Sequence, residues 1–432
     1  MAEADVPRNK IAQDLLRRVA GYVPGVNAPE AVKPTAEKPW QKWLDAELGL
    51  RNYWYPALPS RDVAEGGHKV LKLLGEDILY LRRKGRLYAV EDRCAHRGAR
   101  FSARPLTFTD DTITCWHHTF TFNLDDGRIR CLLNDPGSAM CGTKGIKSYP
   151  VQEAKGVIFT YVGDGAPSPL ENDVPPGFFD EDVAICVADP YVVNANWRLG
   201  SEGGFDPGHH FIHNWSRWAV NAGLPMTFGW VPNPDTIEES NLYQSGSGPH
   251  GFTRLASSAD VTSTSAIIPG RNGEPDHEMV LPIVRGHSAE ELAALAANGY
   301  HGTVGAWMPC SLKVDPWPFP GVVHNEYYVP RDKNSHYYFQ CGWFRSKDEK
   351  LREDWANGDF GQVRWKIPVV DDFTVDDAKA REATNEFYAR EDGWLNERSA
   401  AFDVELLMWR TFCSDHARGI QKPEHTRGQF AR

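Results

Sequence analysis

From Trp54 to Val162 the apolar residues come in runs of strand length, and turn residues break one run from the next. Ile78-Leu79-Tyr80-Leu81, Leu87-Tyr88-Ala89-Val90 and Val157-Ile158-Phe159-Thr160-Tyr161-Val162 are such runs. Thr119-Phe120-Thr121-Phe122-Asn123-Leu124 is closed by Asp125-Asp126-Gly127, whose Asp-Gly step is a hairpin signal. This stretch is therefore expected to be a small all-β unit, with its chemistry carried on loops.

Two of those loops hold metal-ligand residues. Cys94-Ala95-His96 follows one strand-like run, and Cys115-Trp116-His117-His118 lies ahead of another. A structural zinc site usually gathers its cysteines in one knuckle and its histidines in another. Here each loop contributes one Cys and one His. That division suits a Rieske [2Fe–2S] cluster, in which one iron keeps two thiolates and the other takes two imidazoles. Cys94, His96, Cys115 and His118 are the candidate ligands, His117 is read as flanking, and zinc is the competing metal.

Beyond this unit, Gly163 to about Asp180 is a connector heavy in Pro and Asp. The remainder mixes strands (Tyr327-Tyr328-Val329, His336 to Gln340) with helices. Ala289 to Ala297 and Asp377 to Tyr388 have helical composition, and Val404 to His416 has helical periodicity. At the N-terminus, Ile11 to Val23 suits one amphipathic helix, and Pro24 to Pro39 an extended arm. The expected class is α+β: an all-β module followed by a larger mixed domain. The 432 residues allow two or three domains, and we expect divisions at 1–45, 46–165 and 166–432. A net charge of −11 argues against a general nucleic-acid or anionic-membrane binder. No apolar run approaches the ~20 residues of a membrane span, and the N-terminus lacks a signal-peptide pattern. A cytoplasmic protein is expected, in which the six cysteines outside the two loops act as small buried hydrophobes.

A second constellation begins at Asp206. His209 and His213 are four residues apart and would share one face of a helix starting near Asp206-Pro207. Two such histidines and one distant carboxylate make the facial triad of non-haem Fe(II) oxygenases, which leaves positions open for O₂. The carboxylate has four candidates, Asp371, Asp372, Asp376 and Asp377, any of which could instead serve a helix N-terminus.

With these stretches in view, the chain resembles the terminal oxygenases of Rieske non-haem iron ring-hydroxylating systems. It is most similar to the group containing carbazole 1,9a-dioxygenase and 2-oxoquinoline 8-monooxygenase. The shared stretches include Arg51-Asn52-Tyr53-Trp54-Tyr55-Pro56, Asp92-Arg93-Cys94-Ala95-His96-Arg97-Gly98, Thr114-Cys115-Trp116-His117-His118, Asn196-Trp197-Arg198, Gly204-Phe205-Asp206-Pro207 and Ala380-Arg381-Glu382-Ala383. The resemblance implies a helix-grip catalytic domain, an antiparallel sheet with helices, behind the Rieske domain. It implies a [2Fe–2S] cluster on Cys94, His96, Cys115 and His118, and a mononuclear Fe(II) on His209, His213 and Asp377. It implies a homotrimer that oxygenates an apolar aromatic with O₂. Its electrons would come from a ferredoxin, and only indirectly from NAD(P)H through a reductase. Asp206 falls on the acidic residue that bridges cluster and iron across subunits, accepting N–H bonds from His118 and His209. Gly203 and Gly204 would let backbone approach substrate or simply make a turn. Three departures stand out: His117 replaces a usual Tyr, Gly203 a usual Asn, and Ala378-Lys379 is more polar than the usual dipeptide. The first leaves the cluster ligands intact; the other two bear on substrate more than on chemistry. Dealkylation of N- or O-alkyl aromatics is the alternative outcome of the same ligand set. A Rieske electron carrier without catalytic iron is the alternative from another class.

Overall fold

The computed structural model describes residues 38–204, 206–222, 228–229, 251–257, 265–281 and 301–426. The features expected at Ile11–Val23, along most of Pro24–Pro39 and at Ala289–Ala297 lie outside them.

The N-terminal unit is built from β1 (Tyr53–Pro59), β2 (His68–Leu73), β3 (Glu76–Arg83), β4 (Arg86–Glu91), β5 (Thr112–Thr114), β6 (Phe120–Asn123), β7 (Ile129–Leu132), β8 (Val151–Ala154) and β9 (Val157–Val162). They pair antiparallel into three small sheets, β1-β9-β8, β2-β3-β4 and β5-β6-β7. The Asp-Gly step joins β6 to β7, where Phe122 faces Ile129. Leu79, Leu81, Val90, Phe101, Ile113 and Phe122 bury themselves around Cys94 and Cys115, so the two metal-bearing loops share one apolar floor.

The larger unit has a seven-stranded antiparallel sheet. Its strands are β10 (Val183–Val187), β11 (Tyr191–Val193), β12 (Gly251–Ser257), β15 (His301–Trp307), β16 (Ser311–Asp315), β17 (Val322–Asp332) and β18 (Ser335–Arg345). The order is β10-β18-β17-β16-β15-β12, with β11 also on β18, while β13 (Ser265–Ile268) and β14 (His277–Val280) form a separate hairpin. From His324 to Pro330 every residue of β17 is buried. One face meets helix α2 (Trp197–Gly203), and β17 also packs on β1 and β2 of the N-terminal unit. Burial on both faces erases the alternation that a half-exposed strand would show.

Both the first and the last described segments fasten the two units together. Helix α1 (Gln41–Asp45) packs by one face, with Trp40 and Trp43 fully buried and Lys42 and Asp45 exposed. Trp43 meets Trp197 edge-on at 5.0 Å and Trp409 at 6.3 Å. The Trp197 indole donates to the Ala46 carbonyl at 2.8 Å, and Arg198 donates to the carbonyls of Trp43 and Leu44. The motif Asn196-Trp197-Arg198 thus holds α1, and the arm expected over 1–45 ends in core. After helix α6 (Val404–His416) the chain returns to the β unit. There Leu50 bridges Ile420, and Gln421 bonds both Arg51 and Glu76. All eight cysteines are free. Cys186, Cys310, Cys341 and Cys413 are buried as expected, but Cys131 and Cys141 are only half-buried.

Candidate metal centres

Cys94 sits in the turn after β4. Its amide bonds the Ala99 carbonyl, and the Gly98 amide bonds the Cys94 carbonyl, each at 2.9 Å. Gly98 closes this turn at φ +73°, the left-handed region that costs glycine little. The second loop repeats the device: Cys115 bonds the Phe120 carbonyl at 2.7 Å, and Thr119, at φ +60°, bonds the Cys115 carbonyl. Both thiols are buried. Burial pushes Cys94 up to about 12, the His96 amide opposes the rise, and the neighbouring Cys115 adds to it. The imidazoles lie at the rim. His96 meets His118 at 4.7 Å and stacks on Phe120 at 4.7 Å, and His117 stacks on His118 at 3.7 Å. Desolvation first, then His117, His96 and Arg97, hold His118 below its usual value, which favours the neutral ring a ligand needs.

The loops therefore pair thiol with thiol inside and imidazole with imidazole outside. A single tetrahedral zinc would draw all four ligand atoms to within roughly 4 Å of one another. Among the described residues, only His209, His213 and Asp377 bring three such atoms within 4.8 Å of one another. The donor set fits a two-iron cluster better than one zinc ion.

The second site lies between that triad's two segments. His209–Trp215 is a 3-10 helix rather than an α turn, and it starts at His209 rather than Asp206. The Asp206 carboxylate accepts the Gly208 amide at 2.7 Å, a local turn bond that displaces the start of the helix. Helix α5 (Val375–Arg390), which follows α4 (Glu349–Asn357), supplies the acid. Its Glu382 accepts from the amide and side chain of Asn194, and its Asn385 from the Asn196 amide, which lock α5 to the segment before α2. Nε2 of His209 is 3.9 Å from Oδ1 of Asp377, and Nε2 of His213 is 3.8 Å from Oδ2. These gaps are too long for hydrogen bonds and would suit an ion held by bonds of about 2 Å.

The surroundings prepare each donor. His213 is buried, neither ring nitrogen has a hydrogen-bond partner, and Phe373 stacks on it at 3.7 Å and 10°. Burial, then His209 and His210, hold it well below the usual imidazole value, so it is neutral. Nδ1–H of His209 donates to the Asp206 main-chain carbonyl, which leaves the lone pair of Nε2, on the Asp377 side, free for a metal ion. Sequence reasoning expected the Asp206 carboxylate in that role; the carbonyl fills it because the carboxylate serves the Gly208 turn. Burial raises Asp377 to about 6 despite the nearby Arg381 and His209.

The other three acids have separate occupations. Asp372 accepts from Ser216 Oγ at 2.6 Å and from the Trp218 amide at 2.9 Å, so it fastens the start of helix α3 (Arg217–Asn221). Asp371 pairs with Lys366, and Asp376 with Lys379. Gly203 ends α2, and Gly204 lies in the turn that follows it, at φ −68° and ψ −27°, a conformation open to any residue. A Cβ on Gly204 would strike the Tyr328 hydroxyl and Leu312; its close approach is to the sheet.

Sequence reasoning missed the polar layer behind Asp377. His324, Glu326 and Tyr328 point to one side of β17 and join: His324 Nε2 bonds Glu326 at 2.7 Å, and the Tyr328 hydroxyl bonds the same carboxylate. Arg381 lies between this group and Asp377, 3.7 Å from its Oδ1. Two signals were available: polar residues at period two within an apolar strand, and an Asp/Arg pair four apart on a helix.

Comparison with known proteins matches two domains along the chain. Residues 53–150 match the Rieske [2Fe-2S] domain, and residues 161–421 match the homotrimeric ring hydroxylase domain. The terminal oxygenase component of carbazole 1,9a-dioxygenase from Metapseudomonas resinovorans is 37% identical over 93% of this chain and 100% of its own. Its Sphingomonas counterpart is 38% identical over 89% and 96%. The solved carbazole 1,9a-dioxygenase terminal oxygenase of Nocardioides aromaticivorans superposes with a TM-score of 0.77 at 35% identity, covering 90% of this chain and 100% of that one. A carbazole 1,9a-dioxygenase oxygenase solved in complex with its ferredoxin gives 0.78 at 34% identity, with 98% of each chain covered. The chain belongs to the homotrimeric ring hydroxylases, as a Rieske-type terminal oxygenase that uses a [2Fe–2S] cluster, a mononuclear iron and O₂.

Proposed function

We propose that this chain oxygenates a fused, carbazole-like aromatic or heteroaromatic in the cytoplasm, with electrons from a ferredoxin that a reductase serves from NAD(P)H. The observation that carries the reading is the buried triangle of His209, His213 and Asp377, closed by gaps of 3.8 and 3.9 Å on a chain that also pairs its Rieske thiols and imidazoles. The similarity to carbazole 1,9a-dioxygenase oxygenases along nearly the whole chain supports the substrate class, and the solved ferredoxin complexes support the donor. Among the described residues no helix is long and apolar enough to cross a membrane.

In this reading Cys94, His96, Cys115 and His118 hold the cluster, and His209, His213 and Asp377 hold the iron. Iron bound there supplies one-electron chemistry and open positions for O₂. The protein contributes orientation and a dry site. The Asp206 carbonyl fixes the tautomer of His209, and Phe373 walls His213 on one ring face. The Asp206 carboxylate, beside the iron histidines in sequence, is the bridge to His118 of the partner subunit. Asp206→Asn is expected to leave both metals and the oligomer intact while slowing transfer between the centres by orders of magnitude.

An electron carrier without catalytic iron is opposed by the match over residues 161–421. Dealkylation draws weaker support, from a dehydrodivanillate O-demethylase subunit 28% identical over only 39% of the chain. The test is oxygen uptake with ferredoxin and reductase over carbazole, dibenzofuran-like, quinolone, and N- or O-alkyl aromatics, with products identified. Ring-hydroxylated product from a fused aromatic supports the reading. Formaldehyde from the alkyl substrates alone would overturn it.

A further inference from the structure

Arg381 is buried in an unusual way. Neither Nη1 nor Nη2 has a hydrogen-bond partner, and the nearest acid, Asp377, stays 3.7 Å away. The guanidinium is held by two aromatic faces instead, with Tyr328 at 4.8 Å and Tyr338 at 4.5 Å. A buried cation whose two terminal nitrogens lack hydrogen-bond partners is costly to the fold, so its retention calls for a use. The local charges can be assigned from the hydrogen bonds. The Trp365 indole N–H can only donate, and it reaches Nδ1 of His324 at 3.1 Å. Nδ1 of His324 is therefore an acceptor, and its Nε2–H serves Glu326. His324 is neutral, Glu326 is anionic, and Arg381 is the fixed cation beside the Asp377 carboxylate.

We infer that Arg381 is a positioning residue whose fixed charge, kept off Asp377 by the Tyr328–Tyr338 clamp, poises the iron toward the ferrous state. This rests on the assignment of His209, His213 and Asp377 as iron ligands. The reasoning is electrostatic. Reduction adds one electron to Fe(III) and gives Fe(II). A nearby positive charge behind a ligand carboxylate disfavours the more highly charged ferric form, and the effect is large where water is excluded. If Arg381 hydrogen-bonded Asp377 it would compete with the metal for the carboxylate; as an ion pair held at 3.7 Å, it would act on the ion without taking the ligand.

The test is a mediated redox titration of the full-length protein, following the high-spin ferric EPR signal of the mononuclear site. The cluster spectrum and circular dichroism serve as controls for fold. Arg381→Met keeps an unbranched chain between the tyrosines and removes the charge. It is expected to raise the ferric-to-ferrous ratio at a given potential by about tenfold or more, equal to a fall of ~59 mV or more. Arg381→Lys keeps the charge and is expected to restore at least half of that change. Glu326→Gln removes an anion and is expected to move the ratio the opposite way, which keeps the idea testable if Arg381→Met does not fold. A potential unmoved by Arg381→Met, or by Glu326→Gln, would overturn the inference, and so would a fall that Arg381→Lys shares in full. The ligand assignment fails separately, if Asp377→Ala retains the same iron signal.

Discussion

Removing Arg410 tests how the iron-histidine segment is anchored. Arg410, on α6, donates through Nε and Nη2 to both oxygens of Glu202 on α2, at 2.7 and 2.8 Å. It also donates to Glu397, and its guanidinium lies 5.2 Å from the Trp394 ring. Glu202 precedes Gly203, Gly204 and the turn into His209, so this ion cluster pins the start of the site to the C-terminal helix. Arg410→Met removes those bonds and strands Glu202 as a buried carboxylate. Breaking such a pair from one side costs about 3–5 kcal/mol. The effect has a defined pH dependence. Burial already raises Glu202 above its ordinary value of 4.5, Arg410 opposes the rise, and the Glu397 charge adds to it. Without Arg410 it rises further, so the folded variant holds a proton that the unfolded chain releases. Stability then falls as pH rises from the unfolded value through the raised folded one. Urea unfolding followed by circular dichroism is expected to show a smaller deficit at about pH 5.5 than at about pH 8. A variant within ~1 kcal/mol of the parent at both, or a deficit that grows on acidification, would refute the reasoning.

Cys115→Ser is expected to bleach the visible cluster absorption while the mononuclear iron stays, because the apolar residues around Cys94 and Cys115 form a cluster separate from the core under the seven-stranded sheet; iron and sulfide analysis checks this. Asp372→Ala, which strands the Ser216 hydroxyl and the Trp218 amide, should cost about 1–3 kcal/mol in urea unfolding. Asp376→Ala, which breaks only a half-exposed pair with Lys379, should stay within ~1 kcal/mol and keep its iron.

The sequence was most legible where local chemistry decides the outcome. The Asp-Gly hairpin and the strands at Ile78–Leu81 and Val157–Val162 follow from turn residues and short apolar runs, and they appear within β3, β6–β7 and β9. Helix α6 spans Val404–His416 as its periodicity indicates. Two Cys-His loops on one β scaffold pointed to a cluster before any contact was known. What stayed hidden depends on long-range placement. Composition left four acids equivalent between Asp371 and Asp377; only packing shows that Asp371, Asp372 and Asp376 are engaged by Lys366, Ser216 with Trp218, and Lys379. The fastening of α1 and of the Ile420–Gln421 segment to the β unit joins residues hundreds of positions apart, which no local pattern records. The 3-10 form of His209–Trp215 follows from an Asp206–Gly208 turn bond that competes with a regular helix start.

The central claim is that one chain carries two distinct iron sites. Mössbauer spectroscopy of protein enriched in iron-57, with sulfide and zinc analysis, tests it most directly. The account predicts a [2Fe–2S] cluster and one further high-spin iron per chain, with His213→Ala and Asp377→Ala each losing only the further iron. Zinc in place of the cluster, or a full complement of iron in Asp377→Ala, would contradict it.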